Sequence, residues 1–532
     1  MSSRVALSAA FSVLLAATGP TPAQADGKRS PPMACADLVQ LSLPDTVIQS
    51  AVEVPAGPYP FATTAPTCSS DTASPQLPAF CRVTGVVAPQ ITFEVWLPLE
   101  NWNGKFEGLG NHGFAGNLEY SDMGPELVKG YAVAGTDTGH QGNATAWMQN
   151  LQQIIDYGSR GVHEMTVKGK SIVHAFYGRA PKYSYFNGCS TGGKEGLMEA
   201  QRYPDDYDGI NVGGSANFAQ IHNRVQYVWD GQVTFGNAGT PLAGATLALI
   251  NHAAVAACDA LDGVVDGVID NPLTCPFQPS SLLCAAGQDP STCLTAAQVE
   301  ALEKVYRGPR NPRTGEEIYP GLVRGSELGW NGHTTGPAIF STADQFFKFM
   351  VYNDPSWDFR TFNFDSDLAY TDSIFSPLID AIDPDLSAFR KHGGKILQSH
   401  LWSSTVHTGT RSIEYYEQVA SLMRGGGKDR GNMFGKTQEF YRLFMAPGGA
   451  GSKGPGTFDS LPYLERWVEH GIPPRSILAS HKTGGVVDRT RPLCVYPKVA
   501  RYVGTGSTDD AANFKCKMPR EERHHGHDED DD

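Results

Sequence analysis

Residues 183–208, YSYFNGCSTGGKEGLMEAQRYPDDYD, contain the feature that most constrains the fold of this 532-residue chain. An aromatic run typical of a strand is followed by GCSTG at 188–192 and then by a helical pattern, the strand–turn–helix context of a G-x-S-x-G nucleophile elbow. In that motif the serine lies in a strained turn, and glycines beside it let a substrate carbonyl approach closely. A bare G-x-S-x-G also occurs in ordinary loops, but the flanking pattern favours Ser190 as a nucleophile.

Strand-like and helix-like patterns alternate along the chain, which predicts an α/β fold with a mainly parallel sheet. Strand-like runs fall at 91–99, 131–135, 183–187, 210–213, 395–402 and 440–446, and helical patterns at 162–177, 194–202, 413–424 and 461–470. The long segment between the fourth and fifth strand-like runs is instead rich in aromatic residues, glycine, proline and cysteine. We therefore expect an α/β core that contains one large inserted lid domain. The expected bounds are 26–215 and 393–520 for the core and 216–392 for the lid.

The two ends of the chain predict export and a disordered tail. Arg4, an apolar stretch at 6–17 and Ala-Gln-Ala at 23–25 form the pattern of a signal peptide over residues 1–25. The expected location is secreted or periplasmic, and no later apolar run is long enough to span a membrane. Residues 521–532 combine histidines with a run of acidic residues, which favours a solvated disordered tail over a weak metal site.

A second chemical signal is the acidic loop CDALDGVVDGVIDNP at 258–272. Carboxylates at intervals of three and four, with glycines that permit tight turns, can wrap oxygen ligands around a hard cation, and calcium is the natural candidate outside the cell. The spacing is not that of an EF-hand, because the bidentate acid at position twelve is missing. Taken alone, the spacing leaves a solvated acidic turn as the alternative.

Ten cysteines in an exported chain predict disulfide bonds rather than redox or zinc chemistry. Three pairs are placed to form local closures: Cys258 with Cys275 around the acidic loop, Cys284 with Cys293 in a short segment, and Cys494 with Cys516 near the C-terminus. Of the remaining cysteines, three lie near the N-terminus and Cys189 stands beside Ser190.

Eight motifs spread over nearly the whole mature chain carry a family resemblance: LPAFCRV (77–83), WNGKFEGLGNHGFAG (102–116), GYAVAGTDTGHQG (130–142), VHEMTVKGK (162–170), FNGCSTGGKEGLMEAQRYPDDYDGI (186–210), CDALDGVVDGVIDNP (258–272), RTRPLCVYP (489–497) and DAANFKC (510–516). On these motifs the chain resembles the tannase and feruloyl esterase family of α/β-hydrolases, which includes the mono-ester hydrolase of polyester degradation. The resemblance implies a secreted serine carboxylesterase of small aromatic acid esters, with a calcium-stabilised lid over an α/β-hydrolase core. The formal net charge of −14 argues separately against a nucleic-acid partner, which would require a basic face.

The resemblance also implies roles for individual residues. Ser190 would be the nucleophile, and the backbone N–H groups of Thr191 and of His112 in the loop 111–113 would stabilise the oxyanion. The family usually has glycine where His112 stands, so this side chain either enters the mouth of the oxyanion hole or is a tolerated residue at its rim. The implied calcium ligands are the carboxylates of Asp259, Asp262 and Asp266 and the carbonyls of Val264 and Val268.

The same resemblance implies a set of disulfides. The implied pairs are Cys35–Cys81, Cys258–Cys275, Cys284–Cys293 and Cys494–Cys516. Cys189 normally bridges to a cysteine that this chain lacks, so Cys189 and Cys68 are expected to remain thiols.

Two positions of the catalytic triad depart from the family pattern. The family acid lies in His-Gly-Trp-Ala-Asp-Pro, and the matching segment HLWSST at 400–405 has Ser404 in its place. The family histidine lies in Pro-Gly-Met-Gly-His-Cys-Gly, and the matching PGGAGSKG at 447–454 has no histidine in the region of Gly451. These losses matter because a serine hydroxyl is a poor nucleophile until a positioned base accepts its proton.

Four histidines are available as a substitute base, although each is also explained as a surface or packing residue: His407, His400, His481 and His112. Three functions remain open, namely an ester hydrolase with a rearranged triad, a binding protein (a pseudoenzyme) on the same scaffold, and a calcium-stabilised structural protein. The intact elbow and lid motifs favour the first two. We expect a hydrolase from the family resemblance, with turnover impaired by the two substitutions.

Overall fold

The structure is a computed structural model that describes residues 31–58, 76–142, 145–214, 218–236, 240–424, 433–449 and 451–519. The expected signal peptide at 1–25, the expected tail at 521–532 and Cys68 lie outside the described residues. Among the residues it describes, no helix is both long enough and apolar enough to cross a lipid bilayer.

One mixed sheet forms the centre of the fold. The described strands are β1 (Thr46–Val54), β2 (Gly57–Pro58), β3 (Gln76–Leu77), β4 (Phe80–Val87), β5 (Ile91–Pro98), β6 (Lys105–Leu109), β7 (Ala132–Thr136), β8 (Tyr183–Cys189), β9 (Gly209–Gly213), β10 (Lys395–Leu401), β11 (Tyr441–Ala446), β12 (Ser476–Thr483), β13 (Val486–Cys494), β14 (Val499–Tyr502) and β15 (Phe514–Lys517). Nine of these described strands make one sheet in the order β1-β4-β5-β7-β6-β8-β9-β10-β11. The pairs from β1 to β7 are antiparallel, and those from β7 to β11 are parallel. The expected α/β class is therefore confirmed, with an antiparallel extension at one edge.

Helices cover both faces of this sheet. The described α-helices are α1 (Tyr120–Val128), α2 (Leu151–Ile155), α3 (Gly161–Tyr177), α4 (Thr191–Arg202), α5 (Gln220–Thr234), α6 (Ala245–Cys258), α7 (Ala296–Arg307), α8 (Asn331–Thr334), α9 (Ser341–Gln345), α10 (Ser366–Ile379), α11 (Ser387–His392), α12 (Gly409–Arg424) and α13 (Leu461–His470). Helices α3, α4 and α12 contribute to one apolar cluster, and α1 and α13 contribute to another.

Alternation along the strands explains why two clusters form. In β8, Phe186 joins the cluster of α3, α4 and α12, while its neighbour Tyr185 joins the cluster of α1 and α13. In β5, Val95 likewise joins the cluster of α3, α4 and α12, and Trp96 joins the cluster of α1 and α13. Successive side chains of a strand point to opposite faces, so a strand buried on both faces is mostly apolar rather than alternating between apolar and polar residues.

The segment between β9 and β10 contains helices α5 to α11. One apolar cluster lies within this segment, and a second combines its residues with Ala115, Trp147 and Tyr157 of the preceding chain. The segment therefore packs its helices around these two clusters rather than extending the sheet. This arrangement agrees with an insertion into the α/β core, and its role as a lid stays a prediction.

All four implied disulfides are present: Cys35–Cys81, Cys258–Cys275, Cys284–Cys293 and Cys494–Cys516. Cys189 is also disulfide-bonded, so the expectation of a thiol there is wrong. The missing cysteine of the 447–454 loop therefore does not leave Cys189 as a thiol.

Candidate active site

Ser190 lies at the sharp turn between β8 and α4, as the elbow motif predicts. Its backbone has φ 57° and ψ −117°, a region that side chains other than glycine rarely adopt. Backbone strain of this kind costs on the order of 1–3 kcal/mol and persists only where the surrounding structure imposes it. The serine N–H donates to the carbonyl of Gly213 in β9 (3.0 Å), which fixes the turn against the sheet.

Glycines allow the elbow to pack against the neighbouring strand. A Cβ atom on Gly110 would lie 2.4 Å from the Cα of Gly192, and one on Gly188 would lie 2.6 Å from the backbone of Gly192. Backbone occupies the space on both sides, so these contacts cannot be relieved by a change of rotamer. The glycines are therefore required by the close approach of β6, β8 and α4.

We expect Gly110→Ala to destabilise the protein by about 3 kcal/mol, because the added methyl group forces the elbow helix away from β6. Thermal or urea denaturation measures this loss. Gly213→Ala is the matched control, since its new Cβ would meet no atom closer than 3.7 Å. Equal stability of the two variants would contradict this account of the elbow.

The loop 111–113 is tied to the start of α4. Gly192 N donates to Asn111 O (2.7 Å), Thr191 Oγ1 donates to Gly113 O (2.5 Å), and Asn111 N donates to the carboxylate of Glu195 (2.9 Å). These bonds hold the backbone of His112 beside Thr191, which is the first residue of the elbow helix. The arrangement suits the predicted oxyanion donors, since both lie near the positive end of the helix dipole.

The His112 ring is directed to a carboxylate. Its Nε2 lies 3.2 Å from Asp122 Oδ2. Burial disfavours the protonated ring, but the hydrogen bond with Asp122 and the charge of Glu119 raise the pKa of His112 above its ordinary value. The unusual side chain at this position is thus engaged with acidic residues, and the ring is not placed as a base for Ser190.

His407 is the histidine that the structure brings to the serine. Its Nε2 lies 3.1 Å from Ser190 Oγ. The residue belongs to the loop between β10 and α12, where the family carries its acid, and not to the loop where the family carries its histidine. Of the four histidines that the sequence offered, this one is positioned for proton transfer.

Hydrogen bonds from helix α5 and strand β10 hold the loop that carries His407. Asn223 Nδ2 and Tyr227 Oη, both on α5, donate to the carbonyl of Val406 (3.0 Å each). His400 Nε2 donates to the carbonyl of His407 (2.8 Å), so its Nδ1 accepts from Ser412 Oγ (2.8 Å). Burial lowers the pKa of His400 to about 4, which keeps this tautomer neutral. His400 is therefore a positioning residue for the loop.

The His407 ring lacks the carboxylate that completes a triad. The residue is 7% exposed, and its Nδ1 is buried without a hydrogen-bond partner. Burial, followed by the charges of His400, Arg224 and His333, lowers the pKa of His407 to about 3. The ring is therefore a neutral but weak base, because nothing stabilises the imidazolium that proton transfer creates.

A cavity of about 500 Å³ adjoins Ser190. Ser404 lines it together with His407, Gly214 and Thr457, so the substituted acid position faces the nucleophile without a carboxylate. In the loop 447–454, where the family carries its histidine, Gly451 has φ 78°, a left-handed conformation that favours glycine over histidine.

His481 is the last of the four histidines considered as a substitute base. Its Nδ1 pairs with Asp488 (2.7 Å) in an exposed part of the β12–β13 hairpin.

The acidic loop is organised by its own carboxylates. Asp259 accepts from the backbone N–H groups of Asp266 (3.0 Å) and Gly267 (2.9 Å), and Asp266 forms an ion pair with Arg491 (2.7 Å). Asp259, Asp262, Val264, Asp266 and Val268 thus all lie in one compact turn region.

Asp270 was not among the predicted ligands, but it supplies the best test of whether the loop fits a cation. Its Oδ1 is buried and has no hydrogen-bond partner. Burial, together with the charge of Asp262, raises the pKa of Asp270 to about 8 although Arg491 opposes this shift. Two carboxyl groups crowded together with an unsatisfied oxygen fit a hard divalent cation.

Comparisons with known proteins agree with this geometry. The family model described as tannase and feruloyl esterase matches residues 76–517. An uncharacterized esterase of Xanthomonas campestris pv. campestris is 39% identical to this chain over 91% of each protein. The crystal structure of feruloyl esterase B from Aspergillus oryzae superposes with a TM-score of 0.80 at 30% identity, and covers 90% of this chain and 98% of its own. Tannin acyl hydrolase from Aspergillus niger shares the fold, with a TM-score of 0.75 at 20% identity over 90% of this chain and 92% of its own.

The mixed sheet and the strained serine between β8 and α4 define the α/β-hydrolase class. Within that class, the chain belongs to the tannase and feruloyl esterase family. Membership in this family supports ester hydrolysis.

Proposed function

We propose that this protein is an exported carboxylic ester hydrolase of small aromatic (phenolic) acid esters, in which Ser190 and His407 form a catalytic dyad. The observation that carries the proposal is the 3.1 Å contact between Ser190 Oγ and His407 Nε2 at a strained elbow. The names of its relatives, feruloyl esterase and tannin acyl hydrolase, support an aromatic acid ester as substrate. The four disulfides support an oxidising compartment outside the cytoplasm.

The proposed reaction follows from the placement of these groups. His407 Nε2 accepts the proton of Ser190 as Oγ attacks the ester carbonyl, and the N–H groups of Thr191 and His112 stabilise the oxyanion. The imidazolium then returns the proton to the leaving alcohol, and the acyl group remains on Ser190. Water, deprotonated by the same imidazole, releases the aromatic acid and restores the serine.

The dyad is expected to work slowly. A base with a pKa of about 3 gives little driving force for proton transfer, and His407 Nδ1 has no carboxylate to hold it. We expect turnover of unactivated aromatic esters about 1000-fold below that of a relative with a complete triad.

The pH profile tests the proposed base directly. Because the pKa of His407 is lowered to about 3, the ring stays unprotonated through the usual range. We expect kcat/KM to remain level from pH 8 down to about pH 5, where an ordinary histidine would already be protonated. Initial rates across this range, at constant ionic strength, measure the profile. A drop in rate centred near pH 6.5 would show that a histidine with an ordinary pKa is the base instead.

The second candidate function is a binding protein that retains the pocket without turnover. It is favoured by Ser404, which faces the cavity without a carboxylate, and by the unpartnered Nδ1 of His407. Such a protein would bind an aromatic ester and leave it intact.

A burst experiment separates the two candidates. A nitrophenyl ester of an aromatic acid should release one equivalent of nitrophenol per protein rapidly, and peptide mass mapping should find the acyl group on Ser190. Ser190→Ala should retain ester binding, measured by calorimetry, but show no burst. Saturable binding without a burst in the unmodified protein would refute the hydrolase proposal and favour the binding protein.

Calcium is proposed as a structural ion of the loop that contains Asp259, Asp262, Val264, Asp266 and Val268. The crowded pair of Asp262 and Asp270, and the buried unpaired oxygen of Asp270, support this assignment. Bound there, the ion would neutralise the carboxylates of the acidic loop and would take no part in proton transfer at Ser190.

A further inference from the structure

Three side chains that commonly bind metals meet at the far end of the elbow helix. His163 lies on α3, Glu199 lies on the last turns of α4, and Asp206 lies in the connection from α4 to β9. His163 Nδ1 is 2.6 Å from Asp206 Oδ2, and one ligand atom from each of the three residues lies within 4.8 Å of the others. Three separate elements therefore converge on a volume the size of a single ion.

Glu199 gives independent support for a ligand at this position. The residue is 1% exposed, and within the part of the chain that the structure describes neither of its carboxylate oxygens has a hydrogen-bond partner in the geometry. Burial, followed by the charge of Asp206, raises the pKa of Glu199 well above its ordinary value. A buried carboxyl group without a partner is costly, and a bound cation would satisfy both oxygens.

The surroundings keep the cluster acidic. Lys170 donates its Nζ to the backbone carbonyl of Asp206, and Asp205 and Asp208 add further negative charge near it. The His163 ring is also fixed, since it stacks on Tyr203 with centroids 3.8 Å apart.

We propose that His163, Glu199 and Asp206 form a binding site for a single zinc ion. One imidazole nitrogen and two carboxylates, with water as a fourth ligand, suit Zn²⁺, whereas Ca²⁺ prefers six to eight oxygens. Glu199 is nine residues beyond Ser190, which places it roughly 13 Å along the helix at 1.5 Å per residue. The ion therefore braces α3, α4 and the entry to β9 and takes no part in attack on the ester.

The test uses the full chain in which the tail histidines are replaced (His524→Ala, His525→Ala and His527→Ala), because those residues can also bind metals. After treatment with chelator, the protein is dialysed into saturating Ca²⁺ so that the acidic loop does not compete. Titration calorimetry with Zn²⁺ should then show one equivalent bound, with a rise in melting temperature. Co²⁺ in place of Zn²⁺ should give visible absorption bands from a site with nitrogen and oxygen ligands.

Glu199→Gln and His163→Gln should each weaken Zn²⁺ binding by at least about 100-fold and abolish the Co²⁺ bands. The matched control is Asp122→Asn, which removes a carboxylate from a similar His112, Glu119 and Asp122 group and should leave Zn²⁺ binding unchanged. His163 is partly exposed, so its variant keeps the test valid if Glu199→Gln fails to fold. Absence of stoichiometric Zn²⁺ binding in the parent chain, or equal binding by the parent and His163→Gln, would overturn the proposal.

Discussion

His407→Ala is expected to lower kcat for an activated aromatic ester by about 1000-fold, as far as Ser190→Ala does. The reason is geometric, because His407 Nε2 is the proton acceptor that lies 3.1 Å from Ser190 Oγ. A nucleophile and its base act as one unit, so the double variant should be no slower than either single variant. Steady-state rates with a nitrophenyl ester, corrected for the buffer reaction, measure all three.

His481→Ala provides the control for this prediction. That histidine was also a candidate substitute in the sequence, but its ring pairs with the exposed Asp488. Its replacement should leave kcat unchanged within about twofold. Retention of activity in His407→Ala, with loss in Ser190→Ala, would mean that another group accepts the proton.

Removal of calcium is expected to lower the melting temperature by about 5 °C at pH 8, since an ion at one hundred times its Kd contributes about 2.7 kcal/mol. The effect should depend on pH. The pKa of Asp270 is raised to about 8 in the folded protein from its usual 3.8. The protonated carboxyl group therefore stabilises the fold fully below about pH 4, and this stabilisation is lost as the pH rises toward 8. Calcium replaces this proton, and chelation should therefore cost less at pH 5 than at pH 8.

Differential scanning fluorimetry with and without EDTA at the two pH values checks this result. Asp262→Asn should abolish the response to EDTA. Glu300→Gln, which alters an exposed acid of the same inserted segment, should respond like the parent. A melting temperature that EDTA does not change at pH 8, together with no calcium by elemental analysis, would contradict the proposed ion.

Local patterns determined much of the fold. The predicted strands at 183–187, 210–213 and 395–402 correspond to β8, β9 and β10, and the predicted helix at 461–470 coincides with α13. These elements could be predicted because apolar runs and helical periodicity depend on neighbouring residues alone. The antiparallel edge formed by β1 and β4 was not predicted, since strand pairing is decided by contacts distant in sequence.

The elbow and the four disulfide pairs were likewise available from sequence and resemblance, and the structure contains them. The state of Cys189 was predicted wrongly, because the loss of one partner says nothing about which other thiol lies nearby. Asp270 was missed for a similar reason. Its role depends on burial and on the proximity of Asp262, neither of which the spacing of the loop reveals.

The sequence by itself determined the class of the fold, the candidate nucleophile and the absence of the family acid and histidine at their expected positions. It left His407 as the first of four candidate substitutes, each also explained as a surface or packing residue. Only the tertiary structure placed one of them at the serine, because Ser190 and His407, 217 positions apart in the sequence, are brought together by the pairing of β8, β9 and β10. Local sequence specifies which side chains can donate or accept a proton, whereas the distance between them is fixed by packing across the whole sheet.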